Sequence, residues 1–187
     1  MKRFLFVVLI TCRLSSSGQD LKITEMVSLL DKSRVLFNKE FWKSATLYES
    51  FGKPVETLEK ELLKYGFEFN NFDGEEGRYD EVDLRYLTKN TPRKEFALTV
   101  KADMDNSLSY SFRDVTDLNR FKKELEQMGS VFLNTKKDTL SVPGMDNISV
   151  DNHYIFKDKK ITLSESWFVM SRSAGKPDYY IWIRYTN

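Results

Sequence analysis

The chain has 187 residues with 29 basic and 28 acidic side chains, and that near-even balance leaves no basic excess for a nucleic-acid partner. With 41% hydrophobic and 14% aromatic residues and only four prolines, it has the composition of a globular protein rather than a disordered one. A single cysteine, Cys12, rules out an intramolecular disulfide, and a chain of this length buries enough surface to fold without one.

Residues 1–18 read as an export signal. Lys2 and Arg3 form a basic start, Phe4 to Ile10 an unbroken apolar run, and Ser15 to Gly18 a small-residue region before Gln19. The run is too short for a permanent span, which takes about 20 residues. Cleavage after Gly18, with Ser16 and Gly18 as the small residues the peptidase needs, predicts a mature chain that starts at Gln19 and is periplasmic or secreted. Two alternatives stay open. Leu9-Ile10-Thr11-Cys12 resembles a bacterial lipobox except at Thr11, which makes Cys12 a candidate lipid attachment site and the membrane a partner through that lipid alone; the other is a signal left uncleaved. Removing Lys2, Arg3 and Arg13 with the signal leaves 26 basic residues against 28 acidic ones, a net charge of −2.

Residues 19–53 form an N-terminal helical segment. Thr24 is placed to cap a helix, and Met26, Val27, Leu29, Leu30, Leu36, Phe37 and Phe41 give it an apolar face, so Ile23 to Tyr48 is read as one or two helices. Phe51-Gly52-Lys53-Pro54 breaks the pattern, with Pro54 suited to the first turn of the next helix.

Residues 54–187 read as a duplicated unit with halves 54–114 and 117–187. Residues 54–69 align without a gap on residues 117–132, and Val55, Leu58, Leu62 and Tyr65 fall opposite Leu118, Phe121, Leu125 and Met128. Both sets follow helical spacing, and Gly66 and Gly129 follow at equivalent positions, where a left-handed residue ends a helix. Beyond each glycine the period drops to about two residues. Strands are predicted at 67–70, 82–87, 96–101 and 107–112 in the first half, and at 131–134, 153–156, 161–169 and 179–185 in the second. Turn residues separate them: Asp73-Gly74, Asn90-Thr91-Pro92, Asp105-Asn106, Pro143-Gly144 and Gly175-Lys176-Pro177. Short spacers make neighbouring strands antiparallel. The predicted fold is α+β: two tandem helix-plus-antiparallel-meander units forming one domain behind N-terminal helices.

Candidate chemistry is sparse. His153 is the sole histidine and no Gly-x-Ser-x-Gly elbow places a nucleophile, so His153 is expected to be dispensable. One histidine and no mature cysteine leave no common zinc ligand set, and no cofactor is implied. The acidic stretch 73–83 alternates carboxylates with glycine as a calcium loop does, but without EF-hand spacing, and is read as a solvated hairpin loop. Glu75 with Glu81 is an arbitrary carboxylate pair unless space brings the two together. The aromatic strand 179–185 carries more information. Alternation puts Tyr179, Ile181, Ile183 and Tyr185 on one face and Tyr180, Trp182 and Arg184 on the other. If the second set points outward, with Trp167 or Tyr110 beside it, it makes a stacking and hydrogen-bonding surface of the kind enriched in binding hot spots; the competing reading is a strand buried on both faces.

Leu62-Leu63-Lys64-Tyr65-Gly66-Phe67-Glu68-Phe69, Ser107-Leu108-Ser109-Tyr110-Ser111-Phe112 and Phe121-Lys122-Lys123-Glu124-Leu125 together resemble the pattern of a group of uncharacterised exported proteins of Bacteroidota type. The resemblance implies the export signal and the repeated helix-and-strand unit, and it carries over no site residue. The architecture is also similar to β-lactamase-inhibitor-like and peptidase-propeptide-like exported domains, and by that analogy implies binding to other proteins. The functional expectation is a non-enzymatic, exported envelope or periplasmic module that binds another envelope protein or a peptide. A carboxylate-dependent hydrolase and a lipid-anchored structural envelope protein are the alternatives.

Overall fold

A computed structural model describes residues 19–44, 48–73, 81–89, 94–102, 105–142, 145–170 and 173–186. Residues 1–18, the expected signal with Cys12, together with Glu75, most of the acidic stretch and the expected turns at 90–92 and 143–144, lie outside the described residues.

Helix α1 (Ile23–Leu36) starts one residue before the expected cap. Thr24 lies within the first turn; it is Glu25, at the third helical position, that reaches back and accepts the Lys22 N–H at 2.8 Å. The Ile23 N–H, a donor with no partner inside its own helix, goes instead to Glu124 Oε2 at 2.9 Å. Asn38 then accepts the N–H groups of Glu40 and Phe41 at 2.9 and 3.0 Å and opens the short α2 (Lys39–Ser44). Helix α3 (Gly52–Leu62) holds Pro54 in its first turn, where a missing N–H costs nothing. Helix α4 (Val115–Gln127) is capped by Asp114, whose carboxylate accepts the Thr116 N–H at 2.8 Å. The expected glycines do stop the chain: Gly66 at φ 80° and Gly129 at φ 74° are left-handed, which costs glycine little.

The strands are β1 (Phe67–Asp73), β2 (Glu81–Thr88), β3 (Glu95–Lys101), β4 (Ser107–Phe112), β5 (Val131–Val142), β6 (Met145–Phe156), β7 (Lys159–Met170), β8 (Ser173–Ala174) and β9 (Asp178–Tyr185). Eight of them form one antiparallel sheet in the order β1-β2-β3-β4-β9-β7-β6-β5, and the two-residue β8 pairs with the far end of β7. The protein is therefore α+β, with N-terminal helices and one antiparallel sheet.

Helices α1, α3 and α4 lie on one face of the sheet, and the core forms between. Leu84, Leu98, Leu108, Ile181, Ile183, Ile161 and Leu163 point inward from successive strands and are buried. The helical stripes read from the sequence meet them: Val55, Leu58, Leu62 and Tyr65 from the α3 segment, and Leu118, Phe121 and Leu125 from α4, are buried, with Met128 packed at the margin. Phe121 sets its ring edge-on to Tyr110 and Phe112 at 5.8 and 5.2 Å, and Phe112 stacks on Tyr179 at 5.4 Å. Arg120 fastens α4 to its surroundings, donating to Asp117 at 2.9 Å, Glu124 at 2.8 Å and the Leu21 carbonyl at 3.1 Å. Across the sheet Lys159, buried beneath the Tyr185 ring, bonds Asp31 and Asp158 at 2.8 Å each. Burial opposes the Lys159 charge, but the two carboxylates prevail and push its pKa up.

The helices do not reach the far edge. Every residue of β5 whose side chain is described is exposed, and those of β6 are intermediate. This explains a difference from the sequence reading, which stops the strands at 134 and starts them again at 153. Residues 135–142 pair with 145–152 as the arms of a long hairpin all the same, Thr135 with Asn152 and Leu140 with Asn147. Neither face of that hairpin is covered, so selection imposes no alternation and the strand signal vanishes.

The contrast in coverage predicts a contrast in mutational cost. Phe121→Ala should destabilise the fold by about 3–5 kcal/mol in urea unfolding, whereas Leu133→Ala on the exposed β5 should stay within about 0.5 kcal/mol. Equal effects at the two positions would contradict the one-sided core.

Candidate functional site

The face of the sheet away from the helices is open, and ladder register assigns its residues to rows. The central row runs Asn71, Arg85, Ala97, Ser109, Trp182, Thr162, His153, Asn134, one residue from each of eight strands. At about 4.8 Å per strand it is roughly 34 Å wide. On one side lies the row Ser111, Tyr180, Ser164, Asp151, Lys136, and on the other Ser107, Arg184, Lys160, Ile155, Val131.

Strand β9 places the aromatic set as alternation requires. Tyr179, Ile181, Ile183 and Tyr185 are buried under the helices, and Tyr180, Trp182 and Arg184 point to the open face. Trp182 is 50% exposed, and Tyr180 stacks beside it with ring centroids 6.3 Å apart and planes 27° from parallel. Burial pushes the Tyr180 phenol up, so it remains a neutral donor through the physiological range. Around this pair the small hydroxyls of Ser109, Ser111, Thr162 and Ser164 leave the rings standing above their neighbours. Next to Tyr180 a shallow cleft of about 320 Å³ is closed at one end by Arg113 and Asp178, paired at 2.8 Å.

Two expected neighbours are elsewhere. Tyr110 faces the helices and is buried, because its β4 position is one residue out of phase with Ser109 and Ser111. Trp167 follows Ile161 and Leu163 by even steps on β7, so it shares their face, opposite to that of Trp182, and pairs with Ile148. The structure thus brings Tyr180, Trp182 and Arg184 together and separates Trp167 from them. What the sequence reading missed is the polar half of the face, contributed by β4, β7 and β6. Serine repeated at 107, 109 and 111 is the signal that marks an uncovered face.

His153 lies in the central row with Nδ1 3.0 Å from Thr162 Oγ1. That is the reach of a base beside a nucleophile. The third group of such an arrangement is otherwise engaged, since Asp151 accepts the Ser164 hydroxyl at 2.6 Å. Partial burial, and then the charge of Lys160, hold the imidazole below its ordinary pKa, against the opposing pull of Asp151. A depressed folded-state pKa makes the stability contribution of neutral His153 present above the unfolded value, about 6.5, and lost as pH falls through the folded one.

An NMR titration should therefore place the His153 midpoint below 6.5, and Lys160→Ala should raise it toward that value. A midpoint above 6.5 would show that Asp151 dominates the site. Searches against family models, curated proteins and solved structures returned no match to this chain.

Proposed function

We propose that the protein is an exported, non-enzymatic envelope or periplasmic module that binds another protein or a peptide through the open face of its sheet, with Trp182 as the anchor. The observation that carries this reading is a half-exposed tryptophan at the centre of a broad uncovered sheet, backed by Tyr180 and flanked by Arg184. Interface hot spots are enriched in those three residue types. The open surface is shaped for a macromolecule rather than for a small ligand, which is enclosed by a deep apolar pocket.

The same reading takes the fold as two copies of one helix-plus-four-strand unit. Support comes from the sheet order, in which β1, β2, β3 and β4 correspond to β5, β6, β7 and β9 on either side of the β4·β9 ladder. Each first strand also carries a register shift after its glycine, between Phe69 and Asn71 in one half and between Phe132 and Asn134 in the other. The two helix-ending turns agree as well: the Gly66 N–H bonds the Leu63 carbonyl at 2.9 Å, and the Gly129 N–H the Glu126 carbonyl at 3.1 Å.

The test uses the chain from Gln19 immobilised against envelope extract, beside its Trp182→Ala variant, with quantitative mass spectrometry and thermal melts on both. The variant should keep its melting temperature and lose about 2 kcal/mol of partner capture, roughly 30-fold. Unchanged capture, or a melting loss of the about 3–5 kcal/mol that a core tryptophan gives, would sink the anchor role. N-terminal mass spectrometry of the protein from its natural envelope should find Gln19 first; a diacylated Cys12 would replace the soluble module with the lipid-anchored alternative.

A further inference from the structure

At the end of the β4·β9 ladder where Ser107 pairs with Arg184, the sheet meets the last turn of α1 and the start of α2 across an open groove of about 1520 Å³. Its described lining residues include six cations, Arg34, Lys39, Lys43, Lys101, Lys160 and Arg184, against one carboxylate, Asp105. Three of the cations are matched: Arg34 by Asp105 at 3.3 Å, Lys43 by Glu40 at 2.7 Å and Lys101 by Glu81 at 3.0 Å. Lys39, Lys160 and Arg184 have no ion-pair partner among the described residues.

Two of these unmatched charges oppose one another. Lys160 on β7 and Arg184 on β9 are directly paired in the ladder, with side chains on the same open face. Cβ atoms so placed are about 5 Å apart, and like charges there destabilise a sheet. Elsewhere the described outer faces mix signs, as where Arg85 meets Glu95 at 3.4 Å and Lys136 meets Asp138 at 2.6 Å. The Lys160–Arg184 pair thus stands out as a local cost, and an anion held between the two removes it.

We propose that this groove is an anion site whose occupant carries a phosphate group, gripped by Lys160 and Arg184 from the open face, with Lys39 of α2 lining the same groove. A guanidinium fork and an ammonium point charge are the complementary pair for phosphate oxygens. Charge selects the class: a phosphate monoester carries about −1.5 to −2 near neutral pH and offsets most of the three free cations, whereas a single carboxylate leaves two of them. Trp42, half-buried and fixed by its indole N–H to the Phe37 carbonyl at 3.1 Å, forms an aromatic wall for the organic part of the ligand. Burial is the largest cause of the lowered pKa of His153 in the adjacent row, and Lys160 and Arg184 add to it, which is consistent with a positive field at this patch. The groove shares Arg184 with the protein-binding face; Lys39 and Lys160 belong to the groove alone, and neither Trp182 nor Tyr180 is among its lining residues.

The test is an amide NMR titration of the chain from Gln19 with sodium pyrophosphate at low salt, repeated on a Lys160→Ala/Arg184→Ala variant. Saturable shifts at 107, 160 and 184 and at the Trp42 indole, lost at least tenfold in affinity in the variant, are expected. The variant should melt no lower than the parent, because it sheds a repulsion. Sedimentation with vesicles containing phosphatidic acid, a lipid phosphate monoester, against phosphatidylcholine vesicles separates the sources: selective capture assigns the phosphate to a lipid headgroup, and pyrophosphate binding without capture assigns it to a soluble ligand. Shifts that never saturate, or that survive in the double variant, overturn the site, as does a fall in melting temperature showing that the pair has a structural role.

Discussion

Strand β9 is the last element of the chain, yet it lies between β4 and β7 at the middle of the sheet, and the rest of the architecture hangs on its two ladders. Without it the strands of the first half and those of the second have no shared edge. Its inward residues Ile181 and Ile183 are fully buried, and Tyr179 continues the ring stack that runs from Phe121 through Phe112. Helix α1 touches both β4 and β9 and is held to the seam when Asp31 accepts the Tyr185 hydroxyl at 2.8 Å. The pairing joins residues as distant as Ser107 and Arg184, so the loop-closure entropy must be met before these contacts form, a recipe for slow folding.

Because the helices all pack on one side, the same strand that closes the core must present its other residues to solvent. That constraint turns Tyr180, Trp182 and Arg184 into surface features with no further design. Along β9 the surface changes character: an ion pair of Arg113 with Asp178 at one end, aromatic rings in the middle, and unmatched cations at the other end. Beyond β7 the cover thins: Tyr154 and Phe156 of β6 still pack against the core, while the described residues of β5 are exposed. There it relies on its long ladders and on cross-strand polar pairs such as Thr135 with Asn152 at 2.7 Å and Ser166 with Asn147 at 2.8 Å. Such a region opens more readily than the seam.

Much of this was legible in the sequence. The stripes on α3 and α4, the glycines at 66 and 129 and the phase of strand 179–185 are all fixed by local burial, so period and turn chemistry reveal them. Three kinds of feature were not. Helix α1 takes its first N–H partner from Glu124, about a hundred residues away, and no local cap predicts that. The hairpin arms 135–142 and 145–152 have no buried face among the described residues and carry no alternation. The neighbours of Trp182 depend on which strands flank β9, and that order put Ser109 and Thr162 beside it while sending Trp167 to the opposite face. Lys160 and Arg184 likewise look unremarkable along the chain and become a like-charge pair only in the ladder.

The division of the sheet into a covered and an open face is the claim on which every functional statement rests. The chain from Gln19 has no cysteine, so single cysteines placed in it by mutation report their own exposure. Thiol-labelling rates under native conditions for Ser109→Cys and Thr162→Cys, against Leu108→Cys and Ile183→Cys, test it most directly. The first pair, half-buried beside Trp182, should react many-fold faster than the second, which reacts only as fast as the protein unfolds. Comparable rates in both pairs, or protection of the first pair in the isolated protein, would contradict the account.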